Sequence, residues 1–149
     1  MVVMPEQGGF TPTAADVEGV LAWFERYDAM AVAKDVEGMA DQAMFPLNEV
    51  TDGRADPCDR DHFVAQMTEQ LSGSGDFTME SIRTPHFLNQ NLVFVITDAT
   101  IAGADFAQHV RYGDLLVKSE GGWKFQTMVQ GGWGDYGSAG SADDPHSVA

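Results

Sequence analysis

The stretch "RYGDLLVKSEGGWKF", residues 111–125, consists of two apolar-rich runs joined by Glu120, Gly121 and Gly122. Three residues that include two glycines have the length and chemistry of a hairpin connection. The first run extends back to Ala107 and the second forward to Gln130, so strands are expected over 107–119 and 123–130. Gly-Gly-Trp recurs at 131–133, where the glycines end the second strand and Trp133 is the last bulky residue but one. The apparent repeat is therefore one strand with a turn before it and an exit after it. Upstream, residues 77–88 and 91–103 add two further runs, split by a polar "NQN" connection.

The residues before this meander carry helical spacing. Thr13 can cap a first helix, with Asp16 near its positive end. Val17, Val20, Leu21, Phe24, Tyr27 and Ala31 then recur on one face. Asp35 caps a second short helix over 35–44. Residues 45–57 read as a short irregular strand or hairpin, with Pro46 confining it to an edge and Asp52-Gly53 as its turn. Asp59 caps a third helix carried by Phe63, Val64, Met67 and Leu71, which "SGSGD" stops. Helices first and an antiparallel sheet after them make the class α+β. A loose leader is expected over 1–13, a single domain over 14–133, and a disordered acidic tail over 134–149.

"NLVFVI", residues 91–96, is apolar at successive positions, as in a strand covered on both faces. Three helices cover one face of the sheet. A second copy of the chain is the expected cover for the other, which makes the protein a homodimer through the sheet. The net charge of −15 argues against nucleic acid and anionic membrane surfaces. No apolar run approaches the ~20 residues needed to cross a bilayer. The N-terminus has no secretion signal, and the single cysteine, Cys58, fits a cytoplasmic location. The four histidines are isolated in sequence, so no metal site is expected.

Three segments resemble the nuclear-transport-factor-2-like (NTF2-like) superfamily: "FERYDAMAVAKDVEGM", "IRTPHFLNQN" and "RYGDLLVKSEGGWKF". They look nearest its SnoaL-like branch, which includes scytalone dehydratase and a lindane dehydrochlorinase. The resemblance implies three helices on a curved four- to six-stranded, mostly antiparallel sheet. It implies a cone with an internal pocket for a small, mostly apolar molecule, and no cofactor. Members include isomerases, dehydratases, cyclases and hydrolases as well as non-catalytic binding proteins, so a lyase, dehydratase or isomerase, a simple binder and a purely dimeric interaction module all stand as readings.

In those two enzymes a histidine oriented by an aspartate moves the proton. His86 of "TPHF" matches the histidine, and a core histidine bonded to backbone is the competing reading. Asp35 matches the second position of the family's Asp-x-x-Asp spacing, but three residues earlier stands Val32. Asp28 lies one helical turn further back, where it either substitutes in the dyad or solvates the helix surface. Tyr27, Trp23 and Phe24 are pocket-lining or core. His109 and Arg111 share one strand parity and are candidates for holding a substrate oxygen. Val110, Tyr112 and Asp114 share the other, with Gly113 a candidate bulge. Asp98 either pairs with Arg111 or a histidine or faces solvent, and Thr127 on the last strand completes the candidate set.

Overall fold

The computed structural model describes residues 10–73, 75–120 and 122–131; most of the expected leader, the expected tail and Trp133 lie outside them. Helix α1 (Ala14–Val32) begins where a capping box closes. Thr13 Oγ1 accepts from the Asp16 amide at 3.1 Å, and Asp16 Oδ2 accepts from the Thr13 amide at 2.8 Å. Lys34, at φ 59°, turns the chain out of α1. Asp35 then caps α2 (Val36–Asp41), accepting from the Gly38 amide at 3.0 Å. A side chain at Gly38 would meet the capping carboxylate at 2.3 Å, so glycine is what lets the cap close. Helix α2 ends sooner than expected, because residues 43–51 already belong to a strand.

Strands β1 (Ala43–Thr51) and β2 (Arg54–Cys58) form a hairpin around Asp52-Gly53, and α3 (Arg60–Ser72) follows with Asp59 as its cap. The meander is β3 (Phe77–Asn89), β4 (Leu92–Gly103), β5 (Ala107–Ser119) and β6 (Gly122–Val129), within a residue of the expected bounds. All six strands join one sheet in the order β2-β1-β6-β5-β4-β3. Only β1 and β6 run parallel.

Two expectations about the sheet are corrected. Strand β1 is interior, not an edge. Pro46 is tolerated there because the β1–β6 ladder breaks between Ala43 and Asn48, and pairing with β2 starts only at Leu47. Gly113 is not a bulge, since its register with β4 and β6 runs through unbroken. It makes room for Phe94, whose ring would lie 2.4 Å from any Cβ placed there. The irregularity sits two residues later, between Leu115 and Leu116.

The helices pack on one face of the sheet. Val20, Trp23 and Phe24 of α1, Met39 of α2 and Phe63 of α3 bury against Leu47, Val93, Val95, Leu116 and Phe125. Along β4, Val93, Val95, Thr97 and Ala99 are buried, while Leu92, Phe94, Ile96 and Asp98 are only half-covered. This pattern defines an inner face beneath the helices and an outer face with no helix over it among the described residues. Leu116→Ala is expected to cost about 2–5 kcal/mol in denaturant unfolding, against about 1 kcal/mol for Thr13→Ala at the α1 cap. A core loss no larger than the cap loss would contradict this placement of the core.

Candidate functional site

The inner face carries a buried polar cluster between α1 and the middle strands, centred on Arg83. Residues 83, 97 and 112 stand opposite one another across β3, β4 and β5, so all three side chains project under α1. The Arg83 guanidinium donates to both Asp28 oxygens, at 2.5 and 2.9 Å, to the Tyr112 hydroxyl at 3.1 Å and to Thr97 Oγ1 at 3.1 Å. It also lies 4.2 Å from the centre of the Phe24 ring. The Arg83 side chain is 5% exposed and that of Asp28 20%. Burial opposes the charge on Arg83, but the bonds to Asp28 and Tyr112 outweigh it and hold the guanidinium firmly protonated.

Asp114 stands two residues beyond Tyr112 on the same face, opposite Val95 and Met128. It is 7% exposed. Burial drives its carboxyl pKa up to about 7; Arg83 pulls against that shift and Asp28 adds to it. Burial also raises the two phenols near it. Tyr112 is pushed to about 12, and Tyr27 is raised further by Asp114 as well as by burial. Tyr27 stacks on Trp23 at 5.4 Å and meets Phe125 edge-on at 5.2 Å. The Trp23 Nε1 donor is buried and bonds to nothing among the described residues. The inner face thus places a carboxyl of raised pKa near two phenols, a buried indole donor and several aromatic rings.

The structure brings together Asp28, Tyr27, Trp23 and Phe24 of the expected residues. Asp28 reaches the site from its own helical turn and is occupied by Arg83. The others point elsewhere. His86 is exposed on the outer face, opposite Phe94 and Leu115, so it cannot meet Asp28. The parity of His109 and Arg111 is as expected, but it is the outer one. Arg111 donates to both oxygens of Asp98 at 3.2 Å across β4 and β5 on that face, which settles the partner of Asp98. Thr127, opposite Leu115, shares that side and bonds to its neighbour Gln126 at 2.6 Å.

Arg83, Tyr112 and Asp114 were missed. Their signal in the sequence is weak: on β3, Arg83 shares a face with Met79 and Phe87, but His86 shares the other with the equally apolar Ile82 and Leu88. Three potential metal-ligating side chains also meet away from this cluster. Glu49, Cys58 and His62 lie together on β1, β2 and α3.

The raised Asp114 pKa has a stability consequence. Between its ordinary value of 3.8 and about 7, the folded chain holds a proton that the unfolded chain has released. The stabilisation is complete below the lower value and is lost as pH rises through the upper one. Asp114→Asn cannot ionise. Its melting temperature should therefore gain on the parent's from about pH 4 to about pH 7 and keep a constant offset above. A flat offset across the whole range would contradict the burial of this carboxyl.

No protein-family model matches the sequence, and no curated protein matches it. Solved structures do match. One is an NTF2-like protein of unknown function from Pseudomonas putida, with TM-score 0.67, 14% identity, and coverage of 80% of this chain and 87% of that one. Another is a protein from Streptomyces avermitilis provisionally described as a dehydratase of the NTF2-like family, with TM-score 0.66, 12% identity and coverage of 78% and 95%. A third, from Novosphingobium aromaticivorans, is provisionally described as a scytalone dehydratase, with TM-score 0.63, 14% identity and coverage of 77% and 82%. The order of elements, the single mixed sheet and these neighbours agree: the chain has the cystatin-like α+β fold of the NTF2-like proteins.

Proposed function

We propose that the chain binds a small, mostly apolar molecule bearing a carbonyl or hydroxyl group at the inner cluster. There it moves a proton without a cofactor, as a lyase, dehydratase or isomerase. The observation that carries this reading is Asp114, a buried carboxyl with a pKa of about 7 set beside the phenols of Tyr27 and Tyr112. A carboxyl poised there is present in both forms at neutral pH. It can take a proton from carbon next to a carbonyl and return one to a departing oxygen. The high phenol pKa values keep both tyrosines protonated, so each remains a donor to that oxygen. Arg83 is a positioning residue: it holds Asp28 and Tyr112 and contributes positive potential. The neighbours described as dehydratases support the reaction class.

A second reading is a binding protein without turnover. It is favoured by one observation: among the described residues, no histidine faces the inner cluster, so the family's histidine–aspartate dyad is not assembled. A panel of small apolar ketones and alcohols separates the two, with melting temperature and product NMR as readouts. The first reading expects compounds that raise the melting temperature and are turned over, with turnover falling at least about 100-fold in Asp114→Asn. Stabilisation without turnover supports the binder. No stabilisation by any compound removes both.

We also infer that a second copy covers the outer face. Ile82 and Leu88 are 73% and 57% exposed there, beside half-covered Phe94, Ile96 and Leu115. An apolar surface of this kind on a sheet marks an interface. Sedimentation of the parent should give a dimer at micromolar concentration, and Ile82→Asp should give a folded monomer. A monomeric parent would contradict the dimer.

A further inference from the structure

Away from the inner cluster, three side chains of different chemistry converge at the end of the β1–β2 hairpin remote from its turn. Glu49 lies on β1 and Cys58 closes β2. His62 stands in the first turn of α3, where the Asp59 cap accepts from the His62 amide at 2.8 Å and so fixes that turn. One donor atom from each residue lies within 4.8 Å of the other two. Cys58 is buried, Glu49 is half-buried and faces the Cys58 thiol, and His62 is exposed.

We propose that Glu49, Cys58 and His62 bind a zinc ion, supplying three of four tetrahedral ligands, with solvent as the fourth. Bonds of about 2.0–2.3 Å place tetrahedral ligands roughly 3.3–3.8 Å apart. The three donors therefore need to close by at most about 1–1.5 Å, a distance that rotation of the Glu49 and His62 side chains can cover. Sulfur, nitrogen and oxygen together suit zinc, whereas magnesium and calcium demand oxygen alone. The exposure of His62 gives the ion both an entry path and room for water.

The surrounding charge favours a cation. Asp56 stands opposite Glu49 in the β1–β2 ladder, and Asp59 adjoins Cys58. Arg54 and Arg60 are held by Asp56 and Asp41, each at 2.7 Å. On binding, the Cys58 thiol gives its proton to solvent as the sulfur–zinc bond forms, with no change of oxidation state. The bound ion ties β1, β2 and α3 together.

The test titrates the full, reduced chain with cobalt(II), then displaces it with zinc. Expected are one equivalent bound, a thiolate-to-cobalt charge-transfer band, the visible bands of tetrahedral cobalt, and a zinc-dependent rise in melting temperature. Cys58 faces the core, so Cys58→Ser alone is not decisive. His62 is exposed, and His62→Ala leaves the core intact. It should weaken binding at least about 100-fold and abolish the thermal shift, since even loss of a group supporting a ligand costs 10–100-fold. No bands in the parent, or bands and thermal shift retained in His62→Ala, would overturn the assignment.

Discussion

One buried guanidinium organises this protein. Arg83 rises from β3 and is held by Asp28 and Phe24 of α1, Thr97 of β4 and Tyr112 of β5. Taking a charge of that size out of water costs several kcal/mol unless geometry and hydrogen bonding compensate closely. The compensation here is specific: a two-point carboxylate contact, two hydroxyl acceptors and an aromatic face. The partners come from three elements, α1, β4 and β5. Satisfying Arg83 therefore fixes where α1 crosses the sheet and which parity of β3, β4 and β5 becomes the inner face.

That choice of face decides the chemistry. With Tyr112 turned in to meet Arg83, Asp114 must also turn in, because residues two apart on a strand share a side. There burial raises its pKa to about 7, near Tyr27, which stacks on Trp23 and meets Phe125 edge-on. The same choice turns His86, His109 and Arg111 outward, onto the face where Ile82 and Leu88 are exposed. The buried carboxyl inside and the exposed apolar residues outside are thus two results of one register. The Glu49–Cys58–His62 group belongs to a separate corner, built by the hairpin and the start of α3.

Much of the fold is legible in the sequence because its punctuation is strong. Thr13, Asp35 and Asp59 each read as caps and each is one. The turns after Asn89 and Ser119 place β3 to β6 within a residue. Sidedness is harder. In "NLVFVI" both parities are apolar, so β4 does not say which side meets the helices, and motif matching then favoured His86. Strand β3 is no clearer, since Met79 and Phe87 share Arg83's side while Ile82 and Leu88 share that of His86. A buried arginine is rare enough that sequence reasoning defaults to placing such a residue at the surface. The three-residue cluster at Cys58 was hidden for another reason: its members lie on three elements, and only the hairpin fold brings them together.

The claim that Arg83 and Asp28 form the central pairing is tested most directly by a double-mutant cycle on unfolding free energy, using Arg83→Met and Asp28→Asn singly and together. A coupling of about 1–3 kcal/mol is expected, as for residues in one buried network. Additive losses, agreeing within about 0.5 kcal/mol, would show that the two side chains do not depend on each other. That result would contradict the structure's organisation around them.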